Sequence, residues 1–227
     1  MNELAANLDR IRARIAAAAQ RAGRDADTVL LLGVTKTVPP EDVDTAVAAG
    51  LTTFGENKIQ EAKAKIPVVS GRARWHFIGH LQSNKAREAV ALFDLIQSVD
   101  SVKLAGELDK WAAQAGKTQP VLLEVNIAGE ASKNGFRPED LLASLAEIQR
   151  CTHLEVRGLM AIPPVVDEPE KARPFFHRLR QLRDQLDLPE LSMGMSHDFE
   201  IAIEEGATIV RIGAAIFGER KRHEPEE

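Results

Sequence analysis

Lys36 follows the apolar run Val29-Leu30-Leu31-Leu32-Gly33-Val34 and precedes the pair Pro39-Pro40 by two residues. An ammonium group therefore stands at the exit of a segment suited to the middle of a parallel sheet, just before prolines that cannot continue a strand. An amine held among apolar side chains attacks aldehydes, and the imine that forms is a reversible covalent link. Taken alone, Lys36 suits better a strand-end lysine whose stem is buried and whose head reaches water. The far end of the chain carries a second kind of chemistry. "LSMGMSHDFE" (191–200) places Ser192, Gly194 and Ser196 ahead of a helix, and "VRIGAAIFGE" (210–219) places Gly213 ahead of small residues. Backbone N–H groups at a helix start attract phosphate, Ser196 adds a hydroxyl donor, and a glycine lets the backbone approach closely. A nucleophilic amine and a phosphate cradle together suit a phosphorylated aldehyde; both pyridoxal 5′-phosphate (PLP) and a phosphorylated sugar answer that description.

The remaining candidates are weaker. Cys151, followed by Thr152-His153, falls at the end of an expected helix, where an unpaired cysteine is usually a small buried hydrophobe. His76 and His80 are four apart, but across a strand and the loop after it, so they point in unrelated directions and no third ligand accompanies them; no metal site is expected. His80 and Lys133 are expected at the same mouth as Lys36, with Lys133 a candidate second acceptor for an aldehyde.

These groups need a scaffold, and the hydrophobic pattern supplies one. Leu4, Leu8, Ile11 and Ile15 fall on one face of a helix over 3–22 that Gly23 stops. After it, short apolar runs alternate with helical stretches: strands at 29–35, 51–55, 74–78, 94–98, 120–126, 154–160, 190–193 and 208–212, each followed by a helix or a turn. Eight alternating units predict a parallel sheet closed into a single α/β (β/α)8 barrel with one extra N-terminal helix. An open doubly wound sheet fits less well, because "GVTKTVPP" has no Gly-rich turn after the first strand. In a barrel of this kind the strand C-termini form the active mouth, and the first and eighth strands become neighbours. Nothing divides the 227 residues into two domains; the tail from 220 to 227 reads as solvated and frayed.

Composition narrows the function classes. A net charge of −5 offers no general attraction to nucleic acid or to an anionic membrane. No run approaches the 18 or so apolar residues of a membrane span, and the amphipathic N-terminus is not a signal peptide. A single cysteine forms no internal disulfide and points to a reducing, cytoplasmic setting.

"GVTKTVP", "FGENKIQEA", "WHFIGHLQSNKAR", "SVDSVKLA", "EVNIAGEASKNGF", "GLMAI" and "LSMGMSHDFEIAIEEGATIVRIGAAIFG" resemble, in order and spacing, the pyridoxal phosphate homeostasis protein family, single-domain relatives of the N-terminal barrel of alanine racemase (the type III fold of PLP proteins). The resemblance runs from about position 4 to 219. It implies PLP as cofactor, covalently held as a Schiff base on Lys36, with Ser196, Gly213 and the Ala214 N–H on the phosphate and Met193 and Gly194 lining that loop. Asn57 would sit beside the pyridine ring and Arg211 would face its nitrogen. An arginine there carries its own proton, so the ring stays neutral and stabilises carbanions poorly. The residues also admit plainer roles: Arg211 as a strand-end salt-bridge partner, Asn57 as the N-cap of "KIQEAKAKI".

Racemisation through PLP needs an acid/base group on each side of the carbanion plane. In alanine racemases the second is a tyrosine of a C-terminal β-domain from the partner subunit. This sequence contains no tyrosine, and the barrel uses up its length. The expectation is therefore a non-catalytic PLP-binding protein that buffers or delivers the cofactor to apo PLP-dependent enzymes, as a monomer. A low-efficiency amino-acid racemase and an aldolase-like barrel acting through Lys36 on a phosphorylated sugar are the alternatives.

Overall fold

The computed structural model describes residues 3–218; the expected tail lies outside the described residues. The chain opens with α1 (Glu3–Arg21), whose Leu4, Leu8, Ile11, Ile15 and Ala18 are buried at the three-to-four-residue spacing of one helix face. Gly23 ends it in a left-handed conformation (φ 64°), with the Arg24 N–H on the Ala19 carbonyl (2.9 Å) and the Gly23 N–H on Gln20 (3.0 Å). This pair of bonds satisfies carbonyls that the last helical turn leaves open.

Eight strands then alternate with helices: β1 (Leu30–Val34), α2 (Pro40–Ala48), β2 (Thr53–Glu56), α3 (Ile59–Lys65), β3 (Arg74–Phe77), α4 (Ala86–Leu92), β4 (Leu95–Val99), α5 (Val102–Gln114), β5 (Gln119–Glu124), α6 (Leu141–Ile148), β6 (Leu154–Met160), α7 (Arg173–Gln185), β7 (Glu190–Ser192), α8 (Phe199–Glu204), β8 (Ile209–Ile212) and α9 (Ala214–Phe217). Every neighbouring pair is parallel, and β1 closes on β8 in the register Leu30–Ile209 to Gly33–Ile212. The expected (β/α)8 barrel with an extra helix is the observed fold. Between β6 and β7 a 3-10 turn (Pro169–Ala172) leads into α7. Pro174 in the first turn of α7 has no N–H to give and is tolerated only there.

Alternation along the strands builds two cores. Leu32, Ile78, Leu95, Leu122, Met160 and Ile209 fill the barrel interior, with Leu30 and Val34 packed against them. The opposite parity, Phe54, Phe77, Ile96, Val121, Leu123, Leu159, Leu191 and Val210 among it, packs outward against the helices. Gly158 serves the closure of β6 on β7: a Cβ there would lie 2.1 Å from the Glu190 carbonyl oxygen. Among the described residues no helix is long and apolar enough to cross a membrane.

Candidate functional site at the C-terminal mouth

Lys36 is half-buried in the turn after β1. Leu32 and Val34 point into the barrel, whereas Thr35 points outward, its hydroxyl donating to Glu56 at 2.7 Å. Lys36 continues the inward parity. The turn is anchored on both sides. Lys65 donates to the Thr35 carbonyl (2.6 Å) and pairs with the fully buried Glu56; the Thr37 N–H donates to Glu61 (3.1 Å), with Thr37 itself at φ 61°. A left-handed threonine is strained for a β-branched residue, and strain of this kind persists only where the surroundings over-determine it.

The eighth strand is next to Lys36 by barrel closure. Gly33 is in register with Ile212, so Gly213 and the start of α9 leave the barrel alongside the Lys36 turn. Gly213 is the N-cap of α9, and Ala214 is its exposed first residue, so its N–H has no partner within the helix. Met193 and Gly194 continue from β7: the Met193 N–H donates to Ile209 (3.1 Å), and the Gly194 carbonyl accepts from Arg211 N–H (3.0 Å). Gly194 is at φ 90°, and a Cβ would meet that of Ala202 at 2.5 Å. Ser196 is half-buried in the following loop. That loop is shaped by Asp198, whose carboxylate accepts the Met195 N–H at 2.7 Å. Burial pushes the Asp198 carboxyl up, and the Met195 bond opposes the shift.

Arg211 is the buried cation of the mouth. It donates to Ser192 Oγ (2.7 Å) and to the Ala161 carbonyl (2.9 Å), so it is not a salt-bridge arginine. Burial lowers its pKa to about 10, with Glu124 and Asp198 opposing; it keeps its proton at neutral pH. Burial and the nearby Asp100 push the Glu124 carboxyl up, against the pull of Arg211 and His80.

Asn57, just after β2, is not a helix cap either: Lys58 occupies the N-cap position of α3. The Oδ1 of Asn57 is buried without a partner, and its backbone is pressed against Gly79, where a Cβ would fall 2.2 Å from the Asn57 carbonyl oxygen. Lys36, Asn57, Met193, Gly194, Ser196, Arg211, Gly213 and Ala214 thus all belong to strand ends or loops of one rim, on β1, β2, β7 and β8. An unpartnered amide oxygen, open helix N–H groups and a glycine cradle fit a ligand with a ring and an anionic phosphate.

Other expected residues separate. His80 is on that rim, exposed and 3.2 Å from Asp100. Lys133, on the loop after β5, is 2.6 Å from Glu130 and donates to the Ile162 carbonyl (3.3 Å). Cys151 is half-buried, not enclosed, and burial with Asp109 nearby pushes its thiol up, which suppresses the thiolate. His76 faces the barrel interior from β3, with Nδ1 on Gln97 (2.9 Å). Among the described residues no three His, Cys, Asp or Glu side chains form a metal site.

Burial, with Arg74 and Arg157, pushes the His76 imidazole down from 6.5 to about 4. The unfolded chain therefore binds more protons than the folded one between those values. Stability is complete above pH 6.5 and falls as pH drops towards 4, by about 3 kcal/mol in all. Urea unfolding of wild type and His76→Gln through that window checks it: their stability difference should narrow as the pH is lowered.

Sequence reasoning missed Glu56, Lys65, Gln97 and Asp198. For Gln97 the available signal was a polar residue inside the mainly apolar strand run Leu95–Val99.

The model of the alanine racemase N-terminal domain family matches residues 6–221. The pyridoxal phosphate homeostasis protein of Aquifex aeolicus is 47% identical over 221 residues, covering 94% of this chain and 97% of the relative. That of Pseudomonas aeruginosa is 47% identical over 223 residues, covering 97% of each. The structure of PipY from Synechococcus elongatus, solved with PLP bound, superposes with a TM-score of 0.84 at 36% identity, over 95% of this chain and 100% of that one. Alanine racemase of Clostridium difficile shares the fold at a TM-score of 0.75 and 12% identity, with 98% of this chain covering 58% of that one. The chain belongs to the alanine racemase N-terminal domain family and, within it, to the pyridoxal phosphate homeostasis proteins.

Proposed function

We propose that this protein binds PLP at the C-terminal mouth of its single-domain barrel and holds it in reserve for apo PLP-dependent enzymes, without catalysing a reaction of its own. PLP supplies an aldehyde that condenses reversibly with an amine. Lys36 presents that amine from the interior parity of β1. Ser196, Gly213 and the Ala214 N–H hold the phosphate, and Met193 and Gly194 form the wall of the loop. Asn57 lies beside the ring and offers its unpartnered Oδ1. Arg211 faces the ring nitrogen with a guanidinium that can only donate. The observation that carries the reading is the β1–β8 register, which puts the Lys36 turn beside the Gly213 helix start. The names of the relatives and the PLP in PipY support the ligand. The test is to reduce the PLP-loaded protein with borohydride and locate the pyridoxyl mass by peptide mapping. Its recovery on the Lys36 peptide supports the reading; a protein that takes up no PLP sinks it.

A racemase is the second reading, since alanine racemase has the same barrel. Against it stand the absence of tyrosine from the sequence and an Arg211 that is bonded on two sides and cannot accept a proton. Holding loaded protein with single-enantiomer amino acids in deuterated water should give no α-deuterium incorporation at enzyme-like turnover, conventionally ~1 s⁻¹ or faster. Incorporation at such rates would establish the racemase instead. The single cysteine of the sequence supports a cytoplasmic setting.

A further inference from the structure

The opposite, N-terminal end of the barrel opens into a cavity of about 930 Å³. That is within the range of small-molecule sites, roughly 300–1,000 Å³. The interior layer of Leu32, Leu95 and Ile209 separates it from the Lys36 rim. On its wall Thr53 of β2 is in register with Arg74 of β3, and His76 follows on the same inward parity. Thr53 and His76 are 2% and 6% exposed. Among the described residues, the Thr53 hydroxyl, the Arg74 guanidinium and Nε2 of His76 have no hydrogen-bond or ion-pair partner.

What His76 offers the cavity follows from a chain of donations. Arg211 has only donors, so Ser192 Oγ accepts from it at 2.7 Å. Ser192 then spends its one proton on Gln97 Oε1 at 2.5 Å, and the Gln97 amide nitrogen donates to His76 Nδ1 at 2.9 Å. Nδ1 accepts, so the proton of the neutral ring is on Nε2. His76 is therefore a donor into the cavity, beside the hydroxyl and the guanidinium. The acidic groups lining the cavity are Asp27, Asp94 and Glu190. Asp94 accepts the Trp75 N–H at 2.7 Å, and Glu190 Oε1 pairs with Arg157 at 2.5 Å. Glu190 Oε2 is buried with no partner, an acceptor still to be met. At the rim, Arg12 donates to the Ala49 and Gly50 carbonyls and pairs with Asp9 at 3.7 Å.

We propose that this cavity is a second binding site, for a small molecule whose oxyanion is held by Thr53, Arg74 and His76 and whose hydroxyl reaches Glu190. Carboxylates and phosphate monoesters share that head-group chemistry. Lactate and glycerol 3-phosphate serve as probes of the two, each carrying a hydroxyl and neither an amine. Isotope-labelled protein, with and without PLP, is titrated with each while the His76 ring nitrogens and the Thr53 amide are followed by NMR. The expected result is a saturable shift of both signals at concentrations up to about 10 mM, alike in the two forms of the protein. Arg74→Gln, at an exposed strand start, should weaken it at least about tenfold. The probe that saturates first identifies carboxylate or phosphate. No saturable shift with either probe overturns the proposal, and so does one that Arg74→Gln leaves unchanged. If Arg74→Gln fails to fold, Thr53→Val decides by the same criterion. Because the unloaded protein is also titrated, failure of the PLP reading does not affect the outcome.

Discussion

Lys36→Ala should fold like the wild type and lose the visible absorption that the protein acquires with PLP, together with the pyridoxyl mass on that peptide after borohydride. The side chain is half-buried and its Nζ makes no hydrogen bond or ion pair among the described residues, so removing it leaves no buried group unpaired. The phosphate contacts proposed for Ser196, Gly213 and Ala214 survive the substitution. Residual, non-covalent binding is therefore expected, weaker by roughly two orders of magnitude, about 3 kcal/mol. Absorbance and equilibrium dialysis read the two parts separately. A variant that keeps the band places the covalent link on another amine, and Lys133 on the loop after β5 is the next to map.

The second large effect is structural. Glu56 is fully buried on the outward face of β2, and Lys65 at the end of α3 is 6% exposed. Lys65 bonds both the Glu56 carboxylate and the Thr35 carbonyl, one residue before Lys36. Truncating one partner of a buried ion pair leaves the other charge unpaired in a poor solvent, which costs about 3–5 kcal/mol. Lys65→Met is expected to lose that much in urea unfolding. Glu56 would retain only the Thr35 hydroxyl, since its Oε2 already lacks a partner. Replacing both, Glu56→Gln with Lys65→Met, should recover most of the loss, because two neutral side chains of similar volume remove the desolvation cost. A single-variant loss below about 1 kcal/mol would mean that solvent reaches the pair and that it does not brace the Lys36 turn. The same variant should exchange PLP faster than wild type, as the Thr35 carbonyl is released.

Period two in short apolar runs and a three-to-four-residue period between them were enough to read eight strand–helix units, because each element must hide one face and the spacing of its apolar residues says which. The order of those units makes β1 and β8 neighbours and puts Lys36, Ser196 and Gly213 on one rim. Local signals also located the turn glycines: Gly23 stops a helix, and Gly194 takes a backbone conformation that a side chain resists. The plainer roles that single residues admitted could not be dismissed at that level. Asn57 reads as a cap until Lys58 is seen to occupy the position, and Arg211 reads as an ion-pair residue until its partners prove to be a hydroxyl and a carbonyl.

Sequence alone determined the barrel, the rim and the family, since these follow from local periodicity and from motifs in order. Only tertiary structure decided which polar groups are paired. Ser192 and Gln97 are 95 residues apart, Lys65 and Thr35 are 30 apart, and each pair meets because curvature brings non-adjacent elements within hydrogen-bond reach. The same holds for the donors of Thr53, Arg74 and His76: that they have no partner among the described residues is a property of the closed barrel, in which the neighbouring Asp94 is spent on the Trp75 N–H.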